Sequence, residues 1–260
     1  MNRHLFYLSV IQSLTEFLPV SSSGHLILFS KIVQQPDQGL LVDIALHLGT
    51  LMAVMVYFFP TVFNLIKGVF VKGEGRNLLF KLIIGTLPAV VAGGLFLSLI
   101  ERYLRSPYVI AGTSIFFGLL LYGADFFNSK EKTLHDMTLK DAFIIGCFQA
   151  LALIPGTSRS GITMTAGRFL KLKRKEAAEF SMLLSMPVIF AGGLLMIVKS
   201  LINGATIALS SDLFLSVFLC FIFGLLAISF LMKWLKKASF APFAIYRVCL
   251  GIGLIIYLTR

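Results

Sequence analysis

Two polar segments, set in otherwise apolar sequence, repeat nearly the same order of residues. The first is Gln12-Ser13-Leu14-Thr15-Glu16-Phe17-Leu18-Pro19-Val20-Ser21-Ser22-Ser23-Gly24-His25. The second is Gln149-Ala150-Leu151-Ala152-Leu153-Ile154-Pro155-Gly156-Thr157-Ser158-Arg159-Ser160-Gly161. Laid without gaps, Gln12 falls on Gln149, Leu14 on Leu151, Ser21 on Ser158, Ser23 on Ser160 and Gly24 on Gly161, while the prolines miss by one. An apolar approach, a proline, and then hydroxyls closed by glycine is how a broken helix sets polar backbone at membrane depth. Its occurrence twice points to a membrane protein built from a duplicated unit, with the chemistry where the two breaks meet.

Composition supports that reading. Hydrophobic residues make up 57% of the chain and charged residues 13%, and the mean hydropathy is +0.90, which excludes an ordinary soluble domain. The net charge of +11 resides in loops between apolar runs, so nucleic acid is not an expected partner. Cys147, Cys220 and Cys249 are odd in number and lie in apolar runs, which argues against a disulfide framework or a metal cluster. The N-terminal stretch runs at once into Glu16 and Pro19 rather than a small-residue cleavage site, so a cleavable signal is not expected.

Six stretches are long and apolar enough to cross roughly 30 Å of hydrocarbon: Leu40–Pro60, Leu78–Ile100, Tyr108–Phe127, Ala178–Val198, Leu213–Met232 and Ala241–Leu258. The pieces around the motifs, 4–18 with 24–33 and 141–154 with 162–170, are too short to span. Each pair reads as a re-entrant helix–loop–helix, since irregular backbone at that depth needs protein or a water-filled cavity around it. Two kinked transmembrane helices are the plainer alternative.

Lysine and arginine set the orientation. Lys67, Lys72, Arg76 and Lys81 flank the loop after the first span; Lys130, Lys132, Lys140, Lys171, Lys173, Arg174 and Lys175 fill the region between the third and fourth; Lys233, Lys236 and Lys237 follow the fifth. The alternate loops carry only Arg102 and Arg105, or Lys199 at a border. The basic segments are therefore expected in the cytoplasm and both termini outside. Three spans per half is an odd number, so the second half should be inverted. The expected fold is an all-α polytopic membrane protein of two inverted repeats, 1–127 and 128–260, each with one re-entrant pair and three transmembrane helices.

Ionisable groups inside a membrane need a partner or a purpose. Glu16 lies one helical turn from Gln12, so both side chains share a face, able to bind a cation, orient a water or act as a base. Pairing with a buried arginine is its structural alternative. Ser21, Ser22 and Ser23 offer hydroxyls, and Gly24 opens a short helix whose N–H groups favour negative charge. His25, in that first turn, could serve as nucleophile, general acid or anion donor. Thr157, Ser158, Arg159, Ser160 and Gly161 form the second tip, where the planar fork of Arg159 suits phosphate oxygens. Arg247, in mid-span, reads as a structural counter-charge, and Asp43 and Glu179 as interfacial. The phosphatidic-acid type of lipid phosphatase is excluded: its pattern wants an Arg-Pro pair and a His six residues after the later Arg, where this chain has Thr165.

The stretches Leu14–Leu26 and Pro155–Gly161 closely resemble the two signature segments of the undecaprenyl-diphosphate phosphatase family, the bacitracin-resistance type. Leu46–Thr50, Glu179-Phe180-Ser181 and Ala244-Ile245-Tyr246-Arg247 extend the match from the N-terminus to the last span. The resemblance implies removal of the terminal phosphate from undecaprenyl diphosphate, which regenerates the lipid carrier of peptidoglycan synthesis at the bacterial inner membrane. It implies a divalent cation, Mg2+ or Ca2+, with Glu16 as ligand or water-orienting group. The family's acidic motif accepts Glu or Gln at its first position, and this chain carries Gln12 there. Glu16, Ser22, His25 and Arg159 are then the expected catalytic residues, with Ser22 or His25 as nucleophile. Gln12, Ser21, Ser23, Thr157, Ser158, Ser160 and Gly161 are expected to contact substrate. The resemblance also places the catalytic face outside the cytoplasm. Inverted broken helices are equally a transporter plan, so a lipid-phosphate carrier or flippase is the rival class. Hydropathy leaves monomer and homodimer both open.

Overall fold

Proline, glycine and short polar turns cut this chain into helices, and the computed structural model describes them over residues 3–33, 40–127, 132–202 and 211–259. Among the described residues there is no strand; one isolated parallel bridge joins Lys132 to Leu172. Helices α1 (Arg3–Phe17) and α2 (Ser22–Ile32) flank the first motif. Helix α7 (Leu139–Ala150), extended by a 3-10 turn at Leu151–Leu153, and α8 (Arg159–Phe169) flank the second. These bounds lie close to those expected, and each member is too short to cross a bilayer alone. The start of α7 is fixed by a capping box, Thr138 Oγ1 accepting from Asp141 N–H while the Asp141 carboxylate accepts from Thr138 N–H.

The long helices are α3 (Leu40–Tyr57), α5 (Glu74–Tyr103), α6 (Pro107–Phe126), α9 (Arg174–Ile202), α10 (Ser211–Trp234) and α11 (Ala241–Leu258). Five of them are long and apolar enough to span, and α3 joins them if it is counted with its continuation. That continuation is a departure from expectation. Instead of a loop, residues Phe59–Phe70 form a further helix, α4, bent 88° from α3 with Pro60 in its first turn. Pro fits there because its missing N–H would be unpaired anyway. Helix α4 buries Val62, Leu65 and Gly68 against the protein and exposes Phe59, Phe63, Ile66 and Phe70, with the Lys67 ammonium over the Phe63 ring. A search for full-length spans passes over a helix of this size.

Helix α3 packs on α10 and α9, α5 on α7 and α9, α6 on α11 and α8, and α1 on α10. Small residues allow the closest crossings. A Cβ on Gly146 of α7 would collide with the backbone of Gly85 in α5, and the Gln149 amide one turn on donates to the Gly85 carbonyl at 3.2 Å.

Basic segments gather at one end of this bundle. Lys81 Nζ donates to the Leu134 carbonyl at 2.9 Å, and the Lys132 and Leu172 segments bridge. Asp125, at the end of α6, meets Arg168 Nε at 3.0 Å and Arg174 Nε at 2.8 Å and accepts from Phe240 N–H. That carboxylate ties α6, α8, α9 and the start of α11 together. Lys130 and the Lys199 side chain, counted in the charge pattern, lie outside the described residues.

Candidate active site

Each tip begins at a serine in the left-handed region. Ser21 has φ of 78° and Ser158 of 70°. This conformation costs a non-glycine residue free energy, so local bonds must hold it. At both tips they are the same bonds. Ser21 Oγ accepts from Gly24 N–H (3.4 Å), and Ser158 Oγ accepts from Gly161 N–H (3.1 Å). The Ser21 carbonyl accepts from His25 N–H, and the Ser158 carbonyl from Ile162 N–H. Each serine is thus an N-cap that starts the returning helix.

The tips meet. A Cβ on Gly24 would stand 3.7 Å from Gly156 Cα, and Ser160 Oγ donates to the Leu18 carbonyl at 3.0 Å. Gly156, at φ 87°, fits so tightly against α6 that a Cβ would strike the Thr113 hydroxyl and the Ile110 carbonyl. Thr113 Oγ1 donates in turn to the Pro155 carbonyl at 2.8 Å.

At this join Glu16 is the hub. Its Oε1 accepts from Arg159 Nη2 at 2.7 Å. Its Oε2 accepts from Ser22 Oγ at 2.6 Å and from Gln12 Nε2 at 3.1 Å. The carboxylate is 7% exposed and the Arg159 side chain 13%, so the pair is shielded yet reachable. The second arm of the Arg159 fork donates from Nη1 to the Ser181 carbonyl at 2.9 Å, and Ser181 Oγ lies 2.6 Å from Thr163 Oγ1. A hydroxyl touches a carboxylate that touches a guanidinium, the contact geometry a nucleophile, a base and an anion clamp would require.

The expected residues therefore divide. Glu16, Ser22, Gln12 and Arg159 are brought into one bonded group. Ser21, Ser158 and Gly161 shape the turns, and Ser160 bonds tip to tip. Ser23 is exposed at the start of α2, and Thr157 is buried with its Oγ1 unbonded. His25 is turned elsewhere: Nδ1 lies 2.7 Å from the Ser21 carbonyl and Nε2 lies 2.6 Å from Tyr246 Oη. Sequence reasoning missed Ser181 and Tyr246 as participants, although both lie in the segments that carry the family resemblance. Arg247 is fully buried and donates from Nη2 to the carbonyls of Gly156 (3.0 Å) and Thr157 (2.7 Å). It is a counter-charge to carbonyl dipoles of the second tip.

Among the described residues no three His, Cys, Asp or Glu side chains cluster as a metal site. The donor set nonetheless fits a hard divalent cation. Beside the Glu16 carboxylate stand the Ser22 hydroxyl and Gln12 Oε1, a buried amide oxygen with no hydrogen-bond partner. Oxygen donors of this kind, completed by phosphate oxygens and water, are what Mg2+ or Ca2+ takes.

Fold and site together define an integral membrane protein with a hydroxyl–carboxylate–guanidinium group where two broken helices meet. The chain belongs to the bacitracin resistance protein BacA family, whose model matches residues 5–253. It is 49% identical over 259 residues to the undecaprenyl-diphosphatase of Hahella chejuensis, covering 96% of each chain. It is 45% identical over 261 residues to undecaprenyl-diphosphatase 1 of Pseudoalteromonas translucida, covering 98% of each. With the undecaprenyl-diphosphatase of Roseobacter denitrificans it shares 44% identity over 262 residues, 98% of this chain and 97% of that one.

Proposed function

We propose that this protein hydrolyses undecaprenyl diphosphate to undecaprenyl phosphate and inorganic phosphate, and so supports peptidoglycan synthesis and bacitracin resistance. Family membership gives the substrate. The observation that carries the chemistry is the Glu16 carboxylate, held at once by Ser22 of the first tip and Arg159 of the second. In this reading Ser22 Oγ attacks the terminal phosphorus as its proton passes to Glu16. The bond from that phosphorus to the bridging oxygen breaks, and undecaprenyl phosphate leaves. Water then releases phosphate from the serine.

Arg159, freed from part of its bond to Glu16 as that group takes the proton, turns its donors to the equatorial oxygens. A preorganised donor of this kind is typically worth ~3–4 kcal/mol of transition-state stabilisation. Glu16, Gln12 and Ser22 would hold a divalent cation, which when bound would supply charge neutralisation at the phosphoryl oxygens. Ser160, Thr157 and the N–H groups of α8 line the anion's surroundings.

The multi-pass fold sits in the bacterial inner membrane, with the basic end in the cytoplasm and the site open to the opposite side. The halves 1–127 and 128–260 act as inverted repeats. Supporting this, α1 packs on α10 as α7 packs on α5, while α3 meets α9 and α6 meets α11. Phosphate release from undecaprenyl diphosphate by purified protein in detergent, with Mg2+ or EDTA, tests the reading. Metal-dependent release by wild type, lost in Glu16→Ala, is expected. Folded wild type that releases none across several cations would overturn it.

A further inference from the structure

His25 sits beside the reactive group, yet both of its ring nitrogens are committed away from it. The Ser21 carbonyl can only accept, so Nδ1, 2.7 Å away, carries a hydrogen. In the neutral ring Nε2 is then the acceptor, and Tyr246 Oη, 2.6 Å away, donates to it. The two rings are nearly parallel, 9° between planes with centroids 5.7 Å apart. The Ser21 carbonyl thus receives two hydrogens from His25, one from the main chain and one from the ring. Ser21 is the residue in the strained left-handed turn, and Ser22 follows it directly.

We propose that His25 and Tyr246 form a strut that holds the first tip, with both as positioning residues: Tyr246 fixes the imidazole, and the imidazole fixes the Ser21 turn that sets Ser22 against Glu16. The second tip supports this by contrast. There position 162 is isoleucine, which offers the Ser158 carbonyl no side-chain donor, and the turn is gripped instead through the Gly156 and Thr157 carbonyls by Arg247. Adjacent residues on α11, Tyr246 and Arg247, therefore hold one tip each. The strut crosses from α11, which packs on α6, to α2, which packs on α1. The inference rests on the phosphatase reading for its kinetic consequences and on geometry alone for its bonds.

The test uses full-length protein in detergent, wild type, Tyr246→Phe and His25→Asn, with kinetics from pH 5.5 to 9 and 15N-imidazole NMR of His25. Loss of one supporting hydrogen bond lowers kcat of Tyr246→Phe by ~5-fold, with KM and the shape of the pH profile retained. His25→Asn keeps a donor to the Ser21 carbonyl and stays within roughly tenfold of wild type. Spectra of wild type show Nδ1 protonated, and Tyr246→Phe shifts Nε2. A loss of ~10²–10⁴-fold in His25→Asn, with one limb of the pH profile abolished, would make His25 the acid or base and overturn the strut. So would wild-type kcat in Tyr246→Phe together with an unmoved Nε2 resonance. If wild type releases no phosphate the phosphatase reading fails separately, and the Nε2 shift alone decides the strut.

Discussion

The two tips share a backbone and differ in chemistry. Ser21 and Ser158 adopt the same left-handed turn, cap the same way and lead into helices opened by Gly24 and Gly161. In the gapless alignment, however, Glu16 faces Leu153, Ser22 faces Arg159 and His25 faces Ile162. In the proposed mechanism the first tip supplies nucleophile and base, and the second supplies the anion clamp. Their settings differ too: Ser160–Arg168 of α8 is buried throughout, whereas Gly24–Ser30 of α2 alternates buried and partly exposed residues. The shared turn places the backbone alike at both tips, and in that mechanism neither tip alone carries a complete site.

If that division holds, the reactive tip should fail most severely. Glu16→Gln keeps the shape but removes the base and the charge facing Arg159, and kcat should fall by ~10³-fold or more. Ser22→Ala should fall comparably, because the two groups act as one unit, and the double variant should be little worse than either. Phosphate-release kinetics on the three proteins checks this. Independent, multiplying losses would break the picture of a coupled pair.

The clamp tip should instead be vulnerable in its anchorage. Asp125 is 5% exposed and Arg168 1%, so Asp125→Asn takes the Asp125 charge away from a buried cation at the far end of α8. A loss of about 3 kcal/mol in stability is expected, read by thermal unfolding in detergent. The accompanying kinetic change should be much smaller than for Glu16→Gln. An equal collapse of kcat in protein that remains folded would place this cluster in the chemistry.

Legibility in the sequence followed the same division. The broken helices were readable because proline, hydroxyls and glycine interrupt apolar runs; Glu16, His25, Arg159 and Arg247 stood out as ionisable groups too costly to leave in a membrane without cause, and Ser22 through the serine triplet beside them. Five of the six expected spans were readable from length and apolar character. Three features were not. Helix α4 is too short to register as a span, and its bend at Phe58 depends on packing against α5. Ser181 acts through its carbonyl, which any residue type possesses, although its hydroxyl lies near Thr163. The direction His25 faces depends on Tyr246, 221 positions away in the chain, and no local pattern reports it.

Arg159 measures how much the clamp depends on a fork rather than a charge. One arm holds Glu16 and the other the Ser181 carbonyl, an arrangement an ammonium cannot reproduce. Arg159→Lys should cost ~10²-fold in kcat/KM for undecaprenyl diphosphate, less than the loss of Glu16, and activity near wild type would remove the bidentate argument.

The smallest effect addresses the feature the tips share. Ser21→Ala and Ser158→Ala each remove a capping oxygen while keeping a side chain in the left-handed region, and each should lower stability by about 1 kcal/mol. Ser21→Gly and Ser158→Gly lose the same oxygen but relieve the backbone, so the two costs oppose and the net change should be within about 0.5 kcal/mol. Unfolding midpoints of the four variants test whether the turns are equivalent. Matched Ala and Gly effects at both positions would confirm one inherited backbone device. A cost confined to Ser158 would mean the buried tip alone relies on its cap, with Ser21 held chiefly through its carbonyl by His25.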